Sequence, residues 1–255
     1  MKSKISAHFS TSLLLPIDIS DISFGRLFFE MLQESYPEMM PRKYGNTEPL
    51  KNVFDGDLEK MLSTCWQHQF IWKSKVRGIE ALWGFSGLMG EQKLHSKLLL
   101  YGDFGKFKMD NIKLLHHRLM LHHNVDIGHI HILGESELKR YKNYYNEVVS
   151  ALNIGFSTVV LKRYIGNLAW GMYFGKPYIE LIGLEKLLKA PAFLVEQFND
   201  VVYLQITEHI EDVIRNYDEF DRLRTQIKEY LGRQYFFSPD LAYNEYSVPT
   251  FHIPS

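Results

Sequence analysis

The sequence predicts an α+β fold, largely antiparallel sheet packed against helices, as one globular unit over residues 1–255. Two observations carry this. Strand-like runs come in groups: 70–75, 79–85 and 97–101 follow one another, joined by short Gly-bearing turns such as Arg77-Gly78. Helical patterns lie between such groups rather than after every strand, which argues against a parallel βαβ sheet. No internal repeat is recognisable. Each half carries strands and a closing helix, so two lobes meeting near 150–156 are the alternative division.

The elements follow in order. Residues 5–15 alternate loosely and predict a first strand. Asp21 can cap a helix to about residue 36, with Ile22, Leu27, Phe28 and Met31 facing inward. Pro37 and Pro41 stop it, and a long polar loop runs to Pro49. Asp57 caps a short helix ending near Trp66. After the first strand group, Asp110 starts a helix to about residue 123. A short alternating strand at 128–133 and a helix at 136–152 follow. In the second half, 158–164, 168–174 and 177–182 read as strands and 184–189 as a short helix ended by Pro191. Residues 193–198 and 201–206 pair around Asn199-Asp200. Thr207 caps a long helix to about residue 231, with Gly232 at its end. The tail from Pro239 is irregular, and Val248-Pro-Thr-Phe251 packs back on the body.

Composition narrows the function classes. Hydrophobic residues make up 45% and charged residues 23%, as in ordinary globular proteins, whereas the aromatic share of 14% is high and suits both core and interface. A formal net charge of −1 offers no basic excess for nucleic acid. No run approaches the roughly 20 apolar residues of a membrane span. The run Ser12-Leu-Leu-Leu15 ends at Pro16 without a cleavage site, so a secretory signal is not expected. The single cysteine, Cys65, cannot form an internal disulfide and reads as a buried thiol in a reducing, cytoplasmic setting.

Six of the eleven histidines lie between His116 and His131. His116 and His117 face Met120 and Leu121 at the four-residue offset that a zinc helix needs. His129 and His131 share a strand face but lack partners at a recognised spacing. Structural histidines, no metal and no cofactor are the expectation. Glu91-Gln-Lys93 and Glu137-Leu-Lys139 match the nuclease Glu-x-Lys pattern, but in a predicted turn and at a helix start instead of on a strand. His95-Ser-Lys97 lacks the aspartate of the phospholipase D element, which falls on Gly102. Gly84-Phe-Ser86-Gly87 misses the hydrolase elbow by one residue. A catalytic site dispersed over distant residues, using His129 and His131, remains the rival reading.

The segment after Thr207 is more informative. Ile210, Val213, Ile214, Tyr217, Phe220, Ile227 and Leu231 form an apolar stripe. Outside it lie Glu208, Glu211, Asp212, Asp218, Glu219 and Asp221, with Arg215 the one cation before Arg222. Two readings stand: a solvated face favoured by the helix dipole, or an acidic patch for a basic partner. The loop carrying Tyr44 and Glu48 reads either as an ordered turn or as a binding edge. Trp170, Tyr173 and Tyr178 read as core or contact residues.

Tyr44-Gly-Asn-Thr-Glu-Pro49, Trp170-Gly-Met-Tyr-Phe-Gly-Lys-Pro-Tyr178, Ala190-Pro191 and Val248-Pro-Thr-Phe251 together resemble the immunity proteins of bacterial polymorphic toxin systems, immunity protein family 52 in particular. The resemblance spans most of the chain but rests on shape motifs. It implies an α+β cytoplasmic protein that is not an enzyme and that binds and neutralises a cognate toxin, with family 52 associated with restriction-nuclease-like toxins and type VI secretion. The family's recurrent Trp would be Trp170 or Trp83. The residues expected at the toxin are Tyr44, Glu48, Glu208, Glu211, Asp212, Asp218 and Glu219.

Overall fold

The computed structural model describes residues 7–85, 87–89 and 92–253. Its strands are β1 His8–Leu15, β2 Pro41–Gly45, β3 Asn52–Val53, β4 Gln69–Ser74, β5 Ile79–Gly84, β6 Gly87–Met89, β7 Gln92–Leu94, β8 Ser96–Asp103, β9 Ile127–Leu133, β10 Gly171–Phe174, β11 Leu194–Phe198 and β12 Val201–Gln205. Its helices are α1 Ile22–Ser35, α2 Leu58–Cys65, α3 Met109–His122, α4 Glu135–Arg140, α5 Thr158–Leu161, α6 Lys176–Ile182, α7 Leu184–Leu188, α8 Asp212–Arg215 and α9 Tyr217–Leu231. Ten strands form one antiparallel sheet in the order β11-β12-β10-β9-β1-β8-β5-β4-β2-β3. The expected α+β class is what is seen.

Burial follows what covers each strand. β4 and β5 alternate buried and half-exposed residues, so one face there is packed and the other wet. The packed face carries Trp72 and Trp83, against which Phe24, Phe28 and Phe29 of α1 set their rings at 5.0 to 5.9 Å. β9 is buried at every position because both its faces are covered. On one face α3 brings His116 to Thr11; on the other, α4 and α9 bring Glu137 and Phe220 to His131. The alternation of His with Ile in β9 therefore separates two interiors, not core from solvent.

Asp21 and Asp57 cap α1 and α2 as expected, accepting from the backbone N–H of Ser23 and Lys60. Several expectations need correction. Residues 41–45 are not loop but strand β2, and Asn46 pins the turn after it by donating from Nδ2 to Cys65 O and Gln69 O, both at 2.6 Å. Residues 158–161 are helix α5 instead of strand: the Thr158 hydroxyl accepts from the backbone N–H of His95 at 3.0 Å, and that tertiary anchor outweighs the β preference of Thr158, Val159 and Val160. Residues 176–182 are helix α6, with Pro177 in the first turn, where its missing N–H costs nothing, and Gly183 at φ 99° ending it. The helix expected over 136–152 is α4 followed by 3₁₀ and π turns, in a stretch rich in Tyr and Val. The helix expected from Thr207 is broken at Asn216 into α8 and α9, and Thr207 does not cap it; its hydroxyl donates to His209 O instead. Residues 5 and 6 of the predicted first strand, with Ser86 and Glu91, lie outside the described residues. The tail does fold back, with Phe251 set edge-on against His95 at 4.7 Å.

Candidate functional site

The break at Asn216 shapes a cleft. α8 lies over β9, where Gly134 admits the side chain of Ile214: a Cβ at Gly134 would stand 2.9 Å from Ile214 Cγ1. α9 then turns away, and α4 forms the opposite wall. The resulting cleft of about 900 Å³ has Ile214, Tyr217 and Phe220 among its lining residues, together with Asp212, Asp218 and Glu219. Lys139, Arg140 and Arg215 also line it, so its charge is mixed rather than purely acidic.

A buried ionic chain holds the wall in place. Arg224 of α9 donates to Glu137 Oε1 and Asp221 Oδ1, both at 2.5 Å. Glu137 Oε2 lies 2.7 Å from His131 Nε2, and Arg140 reaches Asp221 at 2.9 Å. The Trp170 N–H donates to His131 Nδ1 at 3.1 Å, which leaves the ring proton on Nε2, directed at Glu137. Burial opposes ionisation of Glu137, but Arg224 and then His131 outweigh it and bring the carboxyl down to about 2. Glu137 is thus a structural counter-ion inside α4, not a nuclease-type metal ligand.

The expected partner residues divide. Glu208 and Asp218 are exposed and Glu211 and Asp212 half-exposed. Glu219 is held by Arg222 at 2.8 Å, and Asp221 is buried in the ionic chain, so the acidic surface is smaller than the sequence suggests. Glu48 is exposed and pairs with Lys73 at 3.1 Å. Tyr44 is 4% exposed and stacks on Phe70 at 6.0 Å, so its ring is core and offers no surface to a partner. Tyr44 and Glu48 are also remote from the cleft. Between β9, under α8, and β2 stand β1, β8, β5 and β4, about 24 Å of sheet. Trp170, Tyr173 and Tyr178 are all buried.

Of the six histidines between 116 and 131, three fall into the interior, His117 and His123 are half-buried and His122 is exposed. His116, His129 and His131 are fully buried, and burial drives His116 down to about 3 and His129 well below its usual value. Among the described residues no three His, Cys, Asp or Glu side chains converge as a metal site. One cluster escaped sequence reasoning: His95 Nδ1 meets Thr158 Oγ1 at 2.9 Å and His95 Nε2 meets Asp126 Oδ2 at 2.9 Å. It has the elements of a hydroxyl–imidazole–carboxylate relay. All three residues are buried and Phe251 covers the ring, so in this conformation the cluster ties the starts of β8, β9 and α5 together. Its members are 31 and 63 positions apart, and no local spacing could have signalled it.

The chain matches no protein-family model and no curated protein. The likeness to immunity protein family 52 therefore rests on the quoted motifs alone. Among solved structures, the chain is similar to a type VI secretion system (T6SS) protein of Pseudomonas aeruginosa, with a TM-score of 0.45 and 12% identity over 87% of this chain and 73% of that one.

Proposed function

We propose that this protein neutralises a bacterial toxin by binding and occluding it, without catalysing a reaction of its own. The observation that carries the reading is the cleft between α4 and the α8–α9 corner. Apolar and aromatic residues line it beside carboxylates of the 212–219 segment and the cations Lys139, Arg140 and Arg215. Mixed charge around the half-exposed Ile214 suits a folded protein partner, whose own side chains would anchor in the cleft while the charges set orientation and approach. It does not suit a phosphate backbone, which wants a continuous basic stripe. Exposed Glu208 and Asp218, with half-exposed Glu211, favour a partner whose contacting surface is basic, as the cleft of a nuclease toxin is.

The test is protection. Expressed beside the effector encoded by a neighbouring gene, the protein is expected to restore bacterial growth and to co-purify with that effector in fixed stoichiometry. Growth restored without a stable complex would favour the catalytic alternative, for which the Thr158–His95–Asp126 cluster is the specific candidate. No protection against any adjacent effector would sink the immunity reading itself.

A further inference from the structure

A second, smaller cleft lies further along α9, towards its C-terminal end. It has a volume of about 300 Å³, between α9, the end of α4 and the chain that follows Gly232. Its lining is largely aromatic, Tyr141, Tyr144, Phe236 and Phe237, with Tyr144 and Phe237 packed on each other at 5.3 Å between ring centroids. Three cations line it, Arg140, Lys228 and Arg233, against the single carboxylate Glu229. That composition is unexpected in a chain of net charge −1.

Two of these cations, Lys228 and Arg233, are poorly satisfied, whereas Arg140 pairs with Asp221. Lys228 donates to Asn167 Oδ1 at 3.2 Å and lies 5.6 Å from the centre of the Phe236 ring. Among the described residues, neither Lys228 nor Arg233 has a carboxylate within ion-pair distance. An ammonium carries three donors, so Lys228 is left with unspent capacity in a desolvated place. Burial, then Arg224, push it down to about 8 despite the opposing pull of Asp221. Charged donors normally find acceptors, and an ammonium with spare capacity beside the unpaired guanidinium of Arg233 points to an acceptor supplied from outside the chain.

We propose that this cleft binds a small flat anion, an aromatic ring carrying a phosphate or carboxylate, with Lys228 and Arg233 on the oxyanion and the half-buried Tyr141, Tyr144 and Phe237 against the ring. The volume is at the lower end for ligand pockets, which fits one ring and its charged substituent. The site is separate from the proposed partner cleft except for Arg140, which lines both, so the proposal stands whether or not a toxin is the partner.

The experiment titrates the full chain with phenyl phosphate and with benzoate, by calorimetry or amide chemical shifts, beside phenol and inorganic phosphate as half-ligands. Saturable binding of phenyl phosphate or benzoate is expected at or below about 1 mM, with each half-ligand about tenfold weaker or worse. Arg233→Gln and Lys228→Met are each expected to weaken it about tenfold. Arg233 is exposed and follows α9, so its variant keeps the fold if Lys228→Met, at a half-buried position, does not. Arg222→Gln, on α9 but outside this cleft, is expected to leave binding unchanged. The proposal is overturned if neither probe saturates, if inorganic phosphate binds as tightly as phenyl phosphate, or if binding is indifferent to Arg233→Gln.

Discussion

His116 shows how far one buried side chain can set the behaviour of this molecule. Its ring is fully buried against Tyr173 and meets the Thr11 hydroxyl at 3.4 Å, while Nδ1 has no partner among the described residues. Nothing near it stabilises the imidazolium, so burial lowers it from 6.5 to about 3. The unfolded chain then takes up a proton below 6.5 that the folded chain refuses until about 3. Stability is therefore intact above pH 6.5 and falls as pH drops, by about 1.4 kcal/mol per unit for one such group. His129, lowered by burial and by His131, steepens the same limb. Glu137 acts later, losing its contribution between the ordinary carboxylate range and about 2. Denaturant melts from pH 7 to 4 should show stability dropping from about 6.5 downward, and His116→Gln should flatten that slope by close to one proton. An unchanged slope in the variant would mean that His116 is not the group refusing the proton.

At the scale of elements, the acidic corner yields a prediction that the sequence alone could not have aimed. Sequence counting put Glu219 and Asp221 on the patch, but Arg222 and Arg224 take them. Among the described residues Glu208, Glu211 and Asp218 have no Lys or Arg partner, Glu208 having His209 at 4.0 Å, while Asp212 beside them accepts from Asn216 Nδ2 at 2.7 Å. Changing these three to Lys is expected to slow association with a basic partner several-fold at low salt, and much less at 0.5 M salt, where screening is stronger. Asp218 sits in the first turn of α9 and loses a dipole contact worth about 0.5 kcal/mol, so the melting point should fall by only a few degrees. Equal association rates for variant and parent at both salts would remove this corner from the interface. The same elements show what was legible. β4 and β5 were readable because period-two alternation records a face in solvent. β9 was readable as a strand but not as doubly buried, since its second cover comes from α9, 87 positions beyond Glu137. α5 was unreadable because its β-branched residues are overruled by the contact of Thr158 with His95. Of the candidate site, the acidic residues were visible and the opposing wall of α4 was not, because long-range pairing leaves no local pattern.

The whole molecule poses the question of whether the two halves are separate lobes or one unit. The sheet joins them through β9 and β10, paired from Gly171↔Ile130 to Phe174↔Ile127, with β12 and β11 beyond. The buried contact of Glu137 with Arg224 also crosses from the first half to the second, as does the tie of His95 to Thr158. Cutting the chain between residues 153 and 154 separates all three. The first fragment would keep β9 with a bare edge and a buried Glu137 without its arginine. Breaking one such buried pair costs about 3–5 kcal/mol, which is comparable with the whole stability of an ordinary domain at about 5–15 kcal/mol. Neither fragment, 1–153 or 154–255, is therefore expected to melt cooperatively by itself. Co-expressed, they should reassemble and give one transition, coincident by far-UV circular dichroism and by tryptophan fluorescence, because the four tryptophans report on both halves, Trp66, Trp72 and Trp83 on the first and Trp170 on the second. A first fragment that unfolds alone in a sharp transition of near-parental enthalpy would establish a self-sufficient lobe. The β9–β10 pairing would then be a docking contact between lobes instead of the centre of one sheet.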